Sequence, residues 1–68
     1  MEFNHTEKRL IRGMYKLSRL ATVNEIAIES DNMSWNTAKS TLLDLEKKEV
    51  VKKKELNGKE VWLLNYDG

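Results

Sequence analysis

Asn36, Lys39, Ser40, Leu43 and Lys47 follow one another at intervals of mostly three and four residues, the spacing that sets side chains along one face of a helix. The chemistry open to such a face is recognition rather than bond-making. Asn pairs in bidentate fashion with adenine, Lys reaches guanine or a phosphate, Ser is small enough to let a helix approach, and Leu can rest on a thymine methyl. The plain alternative is a wet strip on a small helix, which the same residue types suit. Nothing competes as a catalytic centre: there is no Cys, a single His lies at position 5, and neither a Gly-rich phosphate loop nor an HExxH pairing is present. Asp44, Glu46 and Glu49 interleave with Lys47 and Lys48, as ion pairs on a solvated helix do. The expectation is a binding protein and not an enzyme, with no catalytic residue, no metal site and no cofactor.

Three helices are needed to position that face. Ser34 in front of Trp35 is an N-cap for a helix over about 35–48, with Ala38, Leu42 and Leu45 turned inward and Thr41 at the border. Upstream, Thr22 and Glu25 stand in T-x-x-E spacing, the capping box that opens a helix over about 23–30. Asp31-Asn32 breaks it, leaving a short polar turn between two helices, the arrangement of a helix-turn-helix. Val23, Ile26 and Ala27 share the inner face there, whereas Ile28 points away and serves either a satellite core contact or a partner surface. Thr6 with Glu7 opens the first helix, over about 6–18, with Leu10, Met14 and Leu17 as its stripe and Ile11 at the edge. Lys8, Arg9, Arg12, Lys16 and Arg19 make its solvated face, and Phe3 is expected to dock loosely if at all. Trp35 is read as a wedge that seats the start of the third helix, with packing on a sugar or base as the alternative.

After Glu49 the apolar period changes from 3.6 to 2, so two strands over about 50–65 are expected around the Asn57-Gly58 turn. A three-residue loop is favoured on charge, because it pairs Glu55 with Lys59 and Lys54 with Glu60, whereas a two-residue loop sets Glu55 against Glu60. Alternation puts Trp62 and Leu64 on one face and Val61 and Leu63 on the other. One face should cover the helices. The other is left for a second subunit, which makes Ile28, Val61 and Leu63 the expected partner surface and a homodimer the simplest assembly.

The fold class is therefore mainly α with a small β-hairpin, one three-helix winged helix-turn-helix domain spanning 1–68. A chain of 68 residues is near the lower limit for a self-sufficient core, and without Cys no disulfide can staple it. Net charge is only +1, a weak footprint for nucleic acid, so local clusters must carry that case. The apolar run Val61-Trp62-Leu63-Leu64 is far too short to span a bilayer and the N-terminus lacks a secretion signal's layout, so a cytoplasmic protein without a membrane partner is expected.

At Thr22-Val23-Asn24-Glu25-Ile26-Ala27, Met33-Ser34-Trp35-Asn36-Thr37-Ala38, Leu42, Leu45-Glu46-Lys47-Lys48 and Val50-Val51, the chain resembles winged helix-turn-helix transcriptional regulators of the MarR-like and ArsR-like kind. The resemblance covers about two thirds of the chain. It implies sequence-specific binding of double-stranded DNA, with the third helix in the major groove and the wing on the backbone. By that resemblance Trp35, Asn36, Lys39 and Ser40 fall at base-reading positions, Thr37 at a phosphate contact, and Lys53, Lys54, Asn57, Gly58 and Lys59 on the wing. Lys47 joins them from the same helix face. Glu49 stands where such proteins carry Gly, so either a left-handed helix exit is strained there or the helix ends differently. No long helix follows the wing, and no small-molecule site is visible. The competing expectation is a protein-protein interaction module, or a domain of a larger replication or transcription protein, since winged helices serve there as well.

Overall fold

In the computed structural model, which describes residues 2–18 and 20–65, three helices precede one hairpin: α1 His5–Leu17, α2 Val23–Glu29, α3 Trp35–Lys47, β1 Val51–Leu56 and β2 Lys59–Leu64. Arg19, expected on the solvated face of α1, lies outside the described residues. Each helix starts where a short polar side chain can meet the free N–H groups of its first turn. In α2 the Thr22 hydroxyl accepts from the Glu25 N–H at 3.3 Å while the Glu25 carboxylate accepts from the Thr22 N–H at 3.0 Å, and in α3 the Ser34 hydroxyl accepts from the Thr37 N–H at 3.2 Å. Helix α1 begins earlier than expected. Its cap is Asn4, not Thr6, because Asn4 and Glu7 form the same reciprocal box at 2.8 and 2.9 Å. Phe3 is consequently drawn in, packing partly buried against the core rather than hanging loose.

The core is built where the three inner stripes meet the hairpin. Leu10, Ile26, Ala38, Leu42, Leu45 and Trp62 are fully buried, with Met14, Val23, Ala27 and Val51 nearly so. Helix α1 packs tightly on the end of α2 at Gly13, where a Cβ would come within 2.5 Å of the Ser30 hydroxyl and 3.1 Å of the Glu29 backbone. Only the missing side chain allows that crossing. Between α2 and α3 the chain turns through Asp31 and Asn32, both in the left-handed region with φ of 61° and 56°. Asp and Asn tolerate that region better than most residues.

Helix α3 leaves by a left-handed residue despite the absence of glycine. Glu49 has φ of 63°, its N–H donates to the Glu46 carbonyl at 3.0 Å, and the Val50 N–H donates to the Leu45 carbonyl at 2.9 Å. That bond pair is the Schellman motif, with Val50 and Leu45 as the accompanying apolar residues. Asn65 reinforces it by donating from Nδ2 to the Glu49 carbonyl at 3.0 Å.

The hairpin register differs from the charge-based expectation. The loop has two residues, Asn57 and Gly58, with φ of 51° and 77°, the double positive φ of a type I′ turn whose twist suits the flanking strands. Glu55 therefore stands opposite Glu60, Lys54 opposite Val61 and Lys52 opposite Leu63. The like-charge pair is tolerated because Glu60 is neutralised from outside the hairpin, by Lys39 of α3. A third strand position is also present: Ala21 bridges Trp62, donating at 3.1 Å and accepting at 2.8 Å. Lys52 and Lys54 stand across from Leu63 and Val61 on the face expected to be open. Val61 is buried, 8 % exposed, and Leu63 is half-buried, so the single chain closes most of that face and Val61 is not available to a partner. Among the described residues no helix is long and apolar enough to cross a membrane.

Candidate nucleic-acid interface

Helix α3 presents its outer face beside the wing, and the cations of this region fall into two groups. The first group is tied down. Lys39 pairs with Glu60 of β2 and its ammonium lies 5.2 Å from the centroid of the buried Trp62 ring. Lys48 donates to both carboxylate oxygens of Glu7 at 2.8 and 3.0 Å and stands 5.6 Å from the Phe3 ring. One lysine thus locks the start of α3 to the sheet and the other locks its end to α1. Lys39 is half-buried and engaged by Glu60 and Trp62, and Lys48 belongs to a long-range pair rather than, as expected, to a strip of local helix pairs.

Both carboxylates register the contact. Glu7 is held below the usual carboxylate range first by the Lys48 hydrogen bond and then by the Asn4 backbone N–H, against the opposing effect of burial. Glu60 is lowered mainly by its hydrogen bond from Lys39, with smaller contributions from the charges of Lys39 and Lys53. A further pair, Arg9 with Asp31 at 3.4 Å, clips α1 to the turn after α2.

The second group is free. Lys47 on α3, Lys52, Lys53 and Lys54 on β1, and Lys59 just past the turn are all exposed, and none is in an ion pair among the described residues. Asn57 and Gly58 are exposed with them at the wing tip. Beyond Val51 every residue of β1 is exposed, so Lys52, Lys53 and Lys54 line the wing on alternating faces, followed by the exposed Glu55. A net charge of +1 conceals this asymmetry, because several of the acidic residues are spent on neutralising Lys39, Lys48 and Arg9.

The polar residues of α3 fall where its phase places them. Asn36 and Ser40 are exposed and, with Thr37, border a shallow groove whose other wall is Asn4 and Thr6 of α1. Thr37 is exposed, but its hydroxyl oxygen accepts from Ser34 at 2.8 Å within the cap. Leu43 is 39 % exposed on the same side. Trp35 is not the buried wedge expected of it: the residue is 50 % exposed and lines a second groove, between α3 and the wing, together with Asn24, Lys39, Lys59 and Glu60. Ile28, at 66 % exposure, stands apart from these residues beside Leu17.

Sequence reasoning missed Asn4, Thr6 and Lys52 as neighbours of this surface. Lys52 was visible in the Lys52-Lys53-Lys54 run, whereas the approach of the α1 N-terminus to α3 is a tertiary fact with no local signal. Compared with protein families, curated proteins and solved structures, the chain matches none. The functional reading rests on its own residues.

Proposed function

We propose that this chain binds double-stranded DNA as a small transcriptional regulator of the winged-helix kind, with α3 in the major groove and the wing along the backbone. The observation that carries the reading is the partition of lysines: those on the wing and on the outer end of α3 are exposed and outside any ion pair among the described residues, and Asn36 and Ser40 are exposed on the same helix as Lys47. Phosphate contacts supply affinity and position, and base-edge contacts supply specificity. Asn36 and Ser40 are assigned the second role and Lys47, Lys53, Lys54 and Lys59 the first. A mobility-shift titration with duplex at two salt concentrations is the test. Changing Lys53, Lys54 and Lys59 together to Gln should flatten the dependence of log K on log salt by up to about 0.9 for each phosphate that is no longer neutralised, and an unchanged slope removes the wing from the interface.

A second reading, a protein-interaction module, draws on Ile28 and Leu43, apolar residues left exposed at 66 % and 39 %. Of the residues expected on a partner surface, Val61 is buried and Leu63 half-buried, and Ile28 is the exposed one. Sedimentation of the wild type beside Ile28→Lys, at micromolar concentration and without DNA, separates the two. A salt-insensitive dimer that dissociates on that substitution favours the second reading, and a monomer that binds duplex favours the first.

A further inference from the structure

The two tryptophans of this chain are used in opposite ways. Trp62 is fully buried at the junction of β2 with Ala21 and α3, while Trp35, the first residue of α3, leaves half of its surface to solvent. An exposed indole on a domain that needs every apolar residue for its core calls for an occupant, and its surroundings specify one. The groove holding Trp35 is open to solvent and is lined also by Thr22, Val23, Asn24, Lys39, Lys59 and Glu60. On its floor Lys39 is already engaged by Glu60 and Trp62, so the free cation among the described residues of the groove is Lys59, exposed beside the wing turn. Asn24, exposed in the same groove, brings an amide that both donates and accepts. An exposed aromatic residue, a free cation and an amide are together the complement of a single nucleotide: base on the ring, phosphate on the lysine, base edge on the amide.

Duplex base pairs cannot use this face. Inside a helix each base is covered above and below by its neighbours, and an indole can engage one only where a base lacks a stacking partner. We propose that the groove between the first turn of α3 and the wing takes one unpaired nucleotide of a DNA strand, stacked on Trp35 with its phosphate at Lys59. This inference rests on the DNA-binding reading and narrows its substrate class. The preferred ligand is a duplex carrying an unpaired nucleotide at an end or junction, gripped by α3 and the wing on the paired side.

Fluorescence titration of the full chain tests it, with a blunt duplex, the same duplex carrying a 3′ overhang, and the same duplex carrying a 5′ overhang as probes. Trp35 is the reporter, because the buried Trp62 is shielded from contact with a ligand. One overhang should bind about tenfold tighter than the blunt duplex, the order expected of one base-aromatic stack, and should quench the Trp35 emission. In Trp35→Ala the ratio of overhang to blunt affinity should fall to about one, while a melting curve unchanged from wild type shows that the fold persists. Equal affinity for all three probes without quenching overturns the nucleotide site and leaves the duplex reading standing, as does a preference that survives Trp35→Ala. Binding to none of the three refutes the DNA reading itself.

Discussion

Lys39 is the residue on which a DNA-facing and a structural interpretation of α3 diverge most sharply, and Lys39→Met separates them. Met keeps much of the stem and removes the ammonium, so packing along the helix is conserved. Two interactions disappear. The ion pair with Glu60 joins side chains that are 25 % and 38 % exposed, partly screened by solvent, and a pair of that kind contributes about 0.2–1 kcal/mol. The cation-π contact with Trp62, whose ring is wholly buried at 5.2 Å from the ammonium, adds about 0.5–1 kcal/mol. Their sum is about 1–2 kcal/mol. For a domain of this size each kcal/mol moves the melting temperature by about 4–8 °C, so thermal denaturation followed by circular dichroism should register the change clearly.

The acid limb supplies an independent reading of the same contact. Glu60 has a folded pKa below its unfolded value, so its contribution to stability is complete above the unfolded pKa near 4.5 and disappears as pH falls through the lower folded value. Removing Lys39 removes the main cause of that lowering. The pH dependence of stability below about 4.5 should therefore flatten in Lys39→Met, and Glu60→Gln should change little further in that background. A melting temperature equal to wild type, combined with a large loss of duplex affinity, would refute this account and return Lys39 to the base-reading set.

Other expectations follow from single contacts. Gly13→Ala should destabilise by about 1–3 kcal/mol in a chemical-denaturation titration, because the new methyl meets the Ser30 hydroxyl and the Glu29 backbone, and an unchanged midpoint would mean that α1 and α2 are not so closely crossed. Glu49→Gly should stabilise by about 0.5–1 kcal/mol, as relief of about 1–2 kcal/mol of left-handed strain exceeds the extra freedom glycine gives the unfolded chain, while Glu49→Ala should give no such gain. Glu7, lowered by Lys48 and Asn4, likewise stabilises fully above its unfolded pKa and loses that contribution on acidification through the folded value. Lys48→Met should shrink the acid loss measured by melting from pH 7 downwards, and an identical acid limb in the two proteins would show that the pair is not formed in solution.

Local signals in this sequence were legible because they depend on neighbours along the chain. The Thr22-Glu25 box, the Ser34 cap and the Asn57-Gly58 turn each involve residues within three positions of one another, and each lies where the spacing placed it. Asn4-Glu7 has the same spacing as Thr22-Glu25 and was equally open to reading, but Thr6 offered a second candidate cap two residues later. The inner stripes of all three helices were legible for the same reason, since period alone fixes which residues share a face. The phase of Asn36, Ser40 and Lys47 came with them.

What escaped depends on partners far away in sequence. Lys39 and Glu60 are 21 residues apart and Lys48 and Glu7 are 41 apart, so nothing local reveals that either lysine is committed inward. The error in the hairpin register has the same origin. Cross-strand charge favoured the longer loop only so long as Glu60 was balanced within the hairpin, and once Lys39 supplies that balance the backbone preference of Asn-Gly for a type I′ turn decides. The register in turn sets Lys54 across from Val61 and leaves Lys59 beside Trp35 in the groove. The Asn-Gly turn thus fixes the register, and the Lys39–Glu60 pair accounts for the like-charge contact that the register creates.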